Sequence, residues 1–243
     1  MRLLVVNCNT SEDVTASIDA GARAAASPDT EVITIQPSWG PASAEGYLES
    51  FMTAAAVIDA ISRRDDYDAI VMAGYGEHGR EGVRQLVDVP VVDVTEASAY
   101  LATLVADRFA VVTTVSSTLS GIRQSLEGAG ILSRCSAVAA AETPVLSIHV
   151  DSPAAVDALA ATAQPLIAQG ADAIVLGCAG FAGLDRALEE RLGVPVLDGV
   201  ASAVVLAESL VRLGKTTSKK GPFAPVDRDK RWAGWSPFAA RSS

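Results

Sequence analysis

Short apolar runs recur along the chain, each closed by a polar or glycine-bearing turn, and longer stretches of helical spacing fill the intervals. Leu3–Val6, Glu31–Ile35, Ala69–Ala73, Val89–Val94, Ala110–Thr114, Ile174–Gly177 and Val194–Leu197 read as short buried strands, since most of them lack the alternation of a half-exposed strand. Residues 11–26, 49–63, 80–86, 97–106, 117–128, 153–169, 184–192 and 200–213 read as helices. Strands and helices in alternation predict an α/β fold, with parallel sheets covered by helices on their faces. At 243 residues the chain is long enough for one large domain or two small ones.

The pattern contains its own second copy. Asp68–Gly74 (DAIVMAG) lines up with Asp172–Cys178 (DAIVLGC), and Val89–Asp93 (VPVVD) with Val194–Asp198 (VPVLD). Leu4–Asn7 (LVVN) matches Ala110–Thr113 (AVVT) in the same order and at nearly the same offset. Two such copies predict pseudo-symmetric lobes. Lobe one is expected over residues 1–95 plus a returning segment, 200–215; lobe two covers 96–199, and 216–243 form a C-terminal extension. Open parallel sheets bind ligands beyond the carboxyl ends of their strands. Residues 7–11 and 74–79 of lobe one should therefore face 113–118 and 178–180 of lobe two across a cleft.

Composition narrows the chemistry. Hydrophobic residues make up 49% of the chain and aromatics only 5%, which suits alanine-rich helices packed on Val/Ile/Leu strands. A net charge of -10 repels phosphate backbones and opposes nucleic-acid binding. The apolar run Leu3–Val6 is too short for a signal-peptide core or a membrane span, so a cytoplasmic protein without a membrane partner is expected. Cys8, Cys135 and Cys178 are widely spaced, with no Cys-x-x-Cys pair and no His cluster. Free thiols are expected, with neither a disulfide framework nor a metal site.

Several motifs then act together. They are NCNTS at residues 7–11, GPASAEGY at 40–47, VVTTVSST at 111–118, VLGCAG at 175–180, GVPVLDGV at 193–200 and TSKKG at 217–221. As a set they resemble the hydantoin and allantoin racemases of the aspartate/glutamate/hydantoin racemase superfamily. The resemblance runs from Met1 to about Gly221. It implies a two-lobed fold with an interlobe active site and no cofactor. It also implies inversion of a carbon α to a carbonyl by two cysteines, one on each lobe. Cys178 matches the second-lobe cysteine. Its own surroundings agree: it follows a buried strand, small Ala179 and Gly180 let backbone N–H groups approach a ligand, and the helix start near Leu184 is expected to favour the thiolate. Read without that context, Cys178 would be an inert core thiol.

The match fails at the first-lobe cysteine, which aligns with Gly74. Where these racemases read Cys, aromatic, Gly, Asp-Pro-Gly, this chain has Gly74, Tyr75, Gly76, Glu77, His78 and Gly79. His78, with an ordinary pKa near about 6.5, and Glu77 are candidate proton-transfer groups. Equally, both could be loop residues ahead of the next helix, where Glu77 favours the helix N-terminus. Cys8 replaces a Pro of the resembled motif; if Asn7 and Asn9 face the cleft, strand alternation turns Cys8 away. Cys135 and His149 read as structural. Asn9, Thr10, Gly74, Tyr75, Gly76, Thr114, Ser117, Thr118, Ala179 and Gly180 are the expected substrate-binding set. Hydroxyls and amides suit a neutral cyclic ureide, and the motifs hold no Lys or Arg to clamp an α-carboxylate. Residues 40–47 are expected to cover the cleft, with Glu45 and Tyr47 as contributors.

The leading expectation is a cofactor-independent isomerase acting on a hydantoin- or allantoin-like ring, with Cys178 as its thiol and an altered second base. The alternatives are a decarboxylase or lyase protonating an enolate from one face, as arylmalonate decarboxylase does, and a non-catalytic ureide-binding relative. Trp232 and Trp235 in the extension point to a homo-oligomer contact.

Overall fold

The computed structural model describes residues 1–148, 153–227, 230 and 233. His149, Trp232 and Trp235 lie outside the described residues. Eight strands are present among them: β1 Arg2–Asn7, β2 Glu31–Ile35, β3 Ala69–Ala73, β4 Val91–Asp93, β5 Phe109–Thr113, β6 Cys135–Ala140, β7 Ala173–Leu176 and β8 Val196–Leu197. The helices are α1 Glu12–Ala25, α2 Tyr47–Ser62, α3 Arg80–Leu86, α4 Val94–Val105, α5 Leu119–Gly128, α6 Pro153–Ala168, α7 Asp185–Leu192 and α8 Gly199–Arg212. The sequence pattern missed β6. Its residues, CSAVAA, are small and carry neither a β-branched run nor strict alternation.

The strands form two four-stranded sheets, ordered β2-β1-β3-β4 and β6-β5-β7-β8, and every pairing is parallel. The two orders are the same walk through space, so the internal repeat is an architectural one. Its conserved-looking polar members do matching work. Asp68 accepts a hydrogen bond from the Arg2 N–H at the start of β1 (2.7 Å), and Asp172 accepts from the N–H groups of Asp107 and Arg108 just before β5. Asp93 caps α4 by accepting from Thr95 and Glu96 N–H, and Asp198 caps α8 by accepting from Val200 and Ala201 N–H.

Both faces of each sheet are covered, which is why the strands are continuously apolar. In the first sheet Leu3, Val5 and Val71 pack under α1 and α8, and Leu4, Val6 and Ile70 under α2 and α3. In the second, Ala110, Val112 and Ile174 meet α6 and α7, while Val111, Phe109 and Val175 meet α4 and α5. Helix α8 thus returns from the second half of the chain to the first sheet. At the junction a Cβ on Gly199 would lie 3.1 Å from Val94 Cβ. Val94 and Gly199 are equivalent in the repeat. Equivalent residues touch where a twofold axis passes between them, so the axis runs between the starts of α4 and α8.

Candidate active site

Two adjoining cavities open at the carboxyl ends of the strands. The larger, about 340 Å³, lies between the start of α2, the loop 75–79 with Arg80, and Ser117–Ser125 of the other lobe. The smaller, about 40 Å³, is walled by Asn7, Cys8, Asn9, Gly74 and His78 from one lobe and by Thr113, Thr114, Gly177, Cys178, Ala179 and Gly180 from the other. Ala44, Tyr75, His78 and Thr118 border both. The smaller cavity has room for about three waters by the usual measure of such volumes and adjoins the larger one through those shared residues. The loop 40–46 supplies one wall of both cavities through Ala44. Its Glu45 carboxylate accepts a hydrogen bond from Val145 N–H (2.7 Å), latching one lobe to the other.

Cys178 sits two residues past β7, partly exposed, with its sulfur accepting from Gly180 N–H at 3.3 Å. Gly177 puts it there. A Cβ at 177 would lie 2.7 Å from Val111 Cγ1 and 3.1 Å from the Val112 carbonyl, so only glycine lets the end of β7 pass β5 this closely. Gly177→Ala is expected to lower the melting temperature, through overpacking of about 1–3 kcal/mol, and to reduce activity by shifting the thiol. A thermal melt equal to wild type would contradict the close approach.

The remaining expected residues divide. Asn9, Gly74, Tyr75, Thr114, Thr118, Ala179 and Gly180 line the smaller cavity, while Gly76, Glu77 and Ser117 line only the larger. Thr10 borders neither; its hydroxyl and N–H both turn to the Pro41 carbonyl. Tyr75 drives its ring between the two cores. Gly76, at φ +115°, donates to Thr95 Oγ1 and accepts from Ser125 Oγ, so its backbone joins the lobes. Glu77 accepts from Gly79 and Arg80 N–H at the start of α3, and burial pushes its carboxyl up to about 7.

His78 is 5% exposed, and burial lowers its imidazole to about 4, so the ring is neutral at physiological pH. Nε2 lies 3.2 Å from the Tyr75 carbonyl. A carbonyl only accepts, so Nε2 carries the hydrogen and Nδ1 is a bare acceptor, buried without a partner.

Asn7 donates to Asn9 Oδ1 (3.0 Å) and Thr15 Oγ1 (2.9 Å), and Asn9 also accepts from Ser11 N–H, so the amides pin the turn after β1. Cys8 continues the Leu4–Val6 face of β1, as alternation requires, but that face ends in the cleft and not away from it. Arg80, the first residue of α3, is buried against the larger cavity. Its guanidinium meets Glu77 (3.2 Å), Glu81 (2.8 Å), Asp93 (3.5 Å) and Glu96 (3.4 Å). The sequence signal was the density of carboxylates around it.

The pattern of the Asp/Glu/Hydantoin racemase family matches residues 3–207. The chain belongs to that family. A hydantoin racemase from Pseudomonas sp. (strain NS671) is 36% identical over 222 residues, covering 90% of this chain and 89% of the relative. The crystal structure of an allantoin racemase from Pseudomonas fluorescens superposes with a TM-score of 0.93 at 46% identity, over 96% of this chain and 100% of the other. An allantoin racemase from Klebsiella pneumoniae gives 0.90 at 38% identity, over 96% of each chain. No helix among the described residues is long and apolar enough to cross a membrane.

In this racemase-family site the thiol is held protonated. Burial, and next the backbone donors Gly180 and Phe181 acting against it, set Cys178 at about 11, with the Glu45 carboxylate raising it further. The expectation that a following helix start would favour the thiolate is therefore corrected. Only a single 3₁₀ turn, Ala179–Phe181, follows the cysteine, and desolvation outweighs its N–H groups. The thiolate of such a group is scarce at neutral pH, so a reaction that used it as base, as proposed below, should show kcat/KM climbing by about tenfold per pH unit through the mildly alkaline range. Glu45→Gln removes a nearby negative charge and should move that profile toward acid. A shift toward alkali would show that Glu45 does not act on the thiol electrostatically.

Proposed function

We propose that the protein racemises a neutral cyclic ureide, a hydantoin- or allantoin-like ring, by removing and returning the proton on the carbon α to its carbonyl. Cys178 is the thiol that does so from lobe two, with no cofactor. The observation that carries this reading is the position of Cys178: a thiol at the strand end of one lobe, opening on a cavity walled by strand ends of the other. Enolate formation needs a base on one face of the carbon, and inversion needs a donor on the opposite face.

The walls support a neutral ring. Arg80 is the one Lys or Arg among the described lining residues, and four carboxylates already surround it. Threonine hydroxyls, the Asn9 amide and small backbone-exposing residues remain for carbonyl and N–H groups. His78 contributes its Nδ1 lone pair as an acceptor for a ring N–H, and Glu77 supports the loop that carries it. A homo-oligomer accompanies this reading. Leu48, Phe51 and Met52 stand exposed on α2, and light scattering should find a mass above that of one chain in solution.

The direct test follows single enantiomers of allantoin and of a side-chain-bearing hydantoin in D₂O. Optical rotation should decay to zero as deuterium enters the chiral carbon. Retained rotation and no exchange with either compound would overturn the proposal, and net loss of carbon dioxide from a malonate-type acid would favour the one-face lyase.

A further inference from the structure

Position 74, which should supply the lobe-one thiol of a two-sided reaction, is a glycine with no room for a side chain. A Cβ there would lie 2.6 Å from Cys8 Cβ, 2.9 Å from Cys8 Sγ and 2.6 Å from His78 Cδ2. The space is occupied, and one of its occupants is itself a thiol. Cys8 leaves the end of β1 in the first sheet, Cys178 the end of β7 in the second, and both line the same small cavity.

We infer that Cys8 is the lobe-one proton carrier of the proposed racemisation, serving the face of the ring carbon opposite Cys178. This rests on the racemase reading above. Four titratable side chains line the smaller cavity: Cys8, Tyr75, His78 and Cys178. His78 is neutral, with its one N–H committed to the Tyr75 carbonyl, and Tyr75 is packed into the cores. Cys8 is the group left on that wall with a proton to give.

The electrostatics of the pair suit the task. Burial, with the charge of Cys178 adding to it, pushes Cys8 up to about 12, above Cys178 at about 11. Ionising one sulfur opposes ionising the other, so the reactive form, which grows as the pH rises, carries one thiolate and one thiol rather than two anions. In the forward step the Cys178 thiolate takes the proton. The ring C–H bond breaks, an S–H bond forms, and the electron pair passes into the enolate. Cys8 then returns a proton to the opposite face. Its S–H bond breaks, a C–H bond forms, the carbonyl is restored, and the negative charge now rests on Cys8. The other enantiomer runs the sequence backwards, or solvent exchange resets the pair.

The test uses the full-length protein as wild type, Cys8→Ser, Cys8→Ala and Cys178→Ser, with each enantiomer of allantoin and of the hydantoin incubated separately in D₂O. Racemisation should fall by about 10²–10⁴ in every variant. Exchange without inversion should survive selectively: the Cys8 variants should deuterate only the enantiomer whose hydrogen faces Cys178, and Cys178→Ser only its mirror image. A packing role for Cys8 would not produce that split. Folding is checked by thermal melts, and Cys8→Ala stands in if the buried serine hydroxyl disrupts the fold. Cys8 variants that racemise within about threefold of wild type while Cys178→Ser is inactive overturn the role of Cys8 alone. Folded Cys8 variants that exchange neither enantiomer overturn it as well. An unaffected Cys178→Ser, or an inert wild type, overturns the racemase reading beneath it.

Discussion

Cys178→Ser should lower kcat/KM for ring racemisation by at least about 10²–10⁴, the usual worth of a positioned acid–base group, while the protein melts close to wild type. The two halves of that expectation have separate causes. The sulfur accepts one hydrogen bond, from Gly180 N–H, and a serine oxygen can accept the same bond in nearly the same volume. The 3₁₀ turn after it should therefore survive. Racemisation does not survive, because an alcohol is far less acidic than a thiol and gives no useful anion at accessible pH. Raising the pH should speed racemisation by the wild type as the Cys178 thiol, at about 11, ionises, and should not restore racemisation in the serine variant, which has lost that thiol. A serine variant that racemises like the wild type would remove Cys178 from the chemistry and with it the proposed function.

Much of this arrangement was legible in the chain. The apolar runs found seven of the eight strands, because strands buried on both faces leave a continuous signal that does not depend on tertiary context. The repeat found the matching sheet orders, and Asp68, Asp172, Asp93 and Asp198 owe their recurrence to backbone N–H groups that both lobes must satisfy at the same places. Strand β6 escaped because small residues carry no period. Side-chain destinations at strand ends escaped for a different reason. Alternation assigns Cys8 to one face of β1, and it does lie there, but beyond the last ladder bond both faces open into the same cleft. No local pattern says which face the opposite lobe will cover. Arg80 escaped likewise, since its burial depends on Asp93, Glu96 and Ser125, all distant in sequence.

Gly74→Cys, which adds a thiol to the wall across from Cys178, is expected as a single change to lower racemisation rather than raise it. Its Cβ would overlap Cys8 Cβ and His78 Cδ2, each at 2.6 Å. Cys8 Cβ is fixed to the backbone and cannot swing aside. Overpacking of this kind costs about 1–3 kcal/mol or more, which for a domain of this size is a fall of several degrees in melting temperature. The crowded thiols should also lose alignment, so activity drops with stability. The clash identifies its own remedy. Cys8→Gly with His78→Ala empties the space and, if Cys8 carries the lobe-one proton, leaves an enzyme that exchanges one enantiomer but barely racemises. Adding Gly74→Cys to that pair then returns a thiol to the same wall from the end of β3. Melting temperature should recover relative to Gly74→Cys alone, and racemisation should rise by at least about tenfold over the double variant. Recovery of stability without recovery of inversion would mean that a thiol anywhere on this wall is insufficient, and that the reaction needs the β1 position itself. Full racemisation in the double variant, with no thiol at 8 or 74, would show that the second proton comes from water.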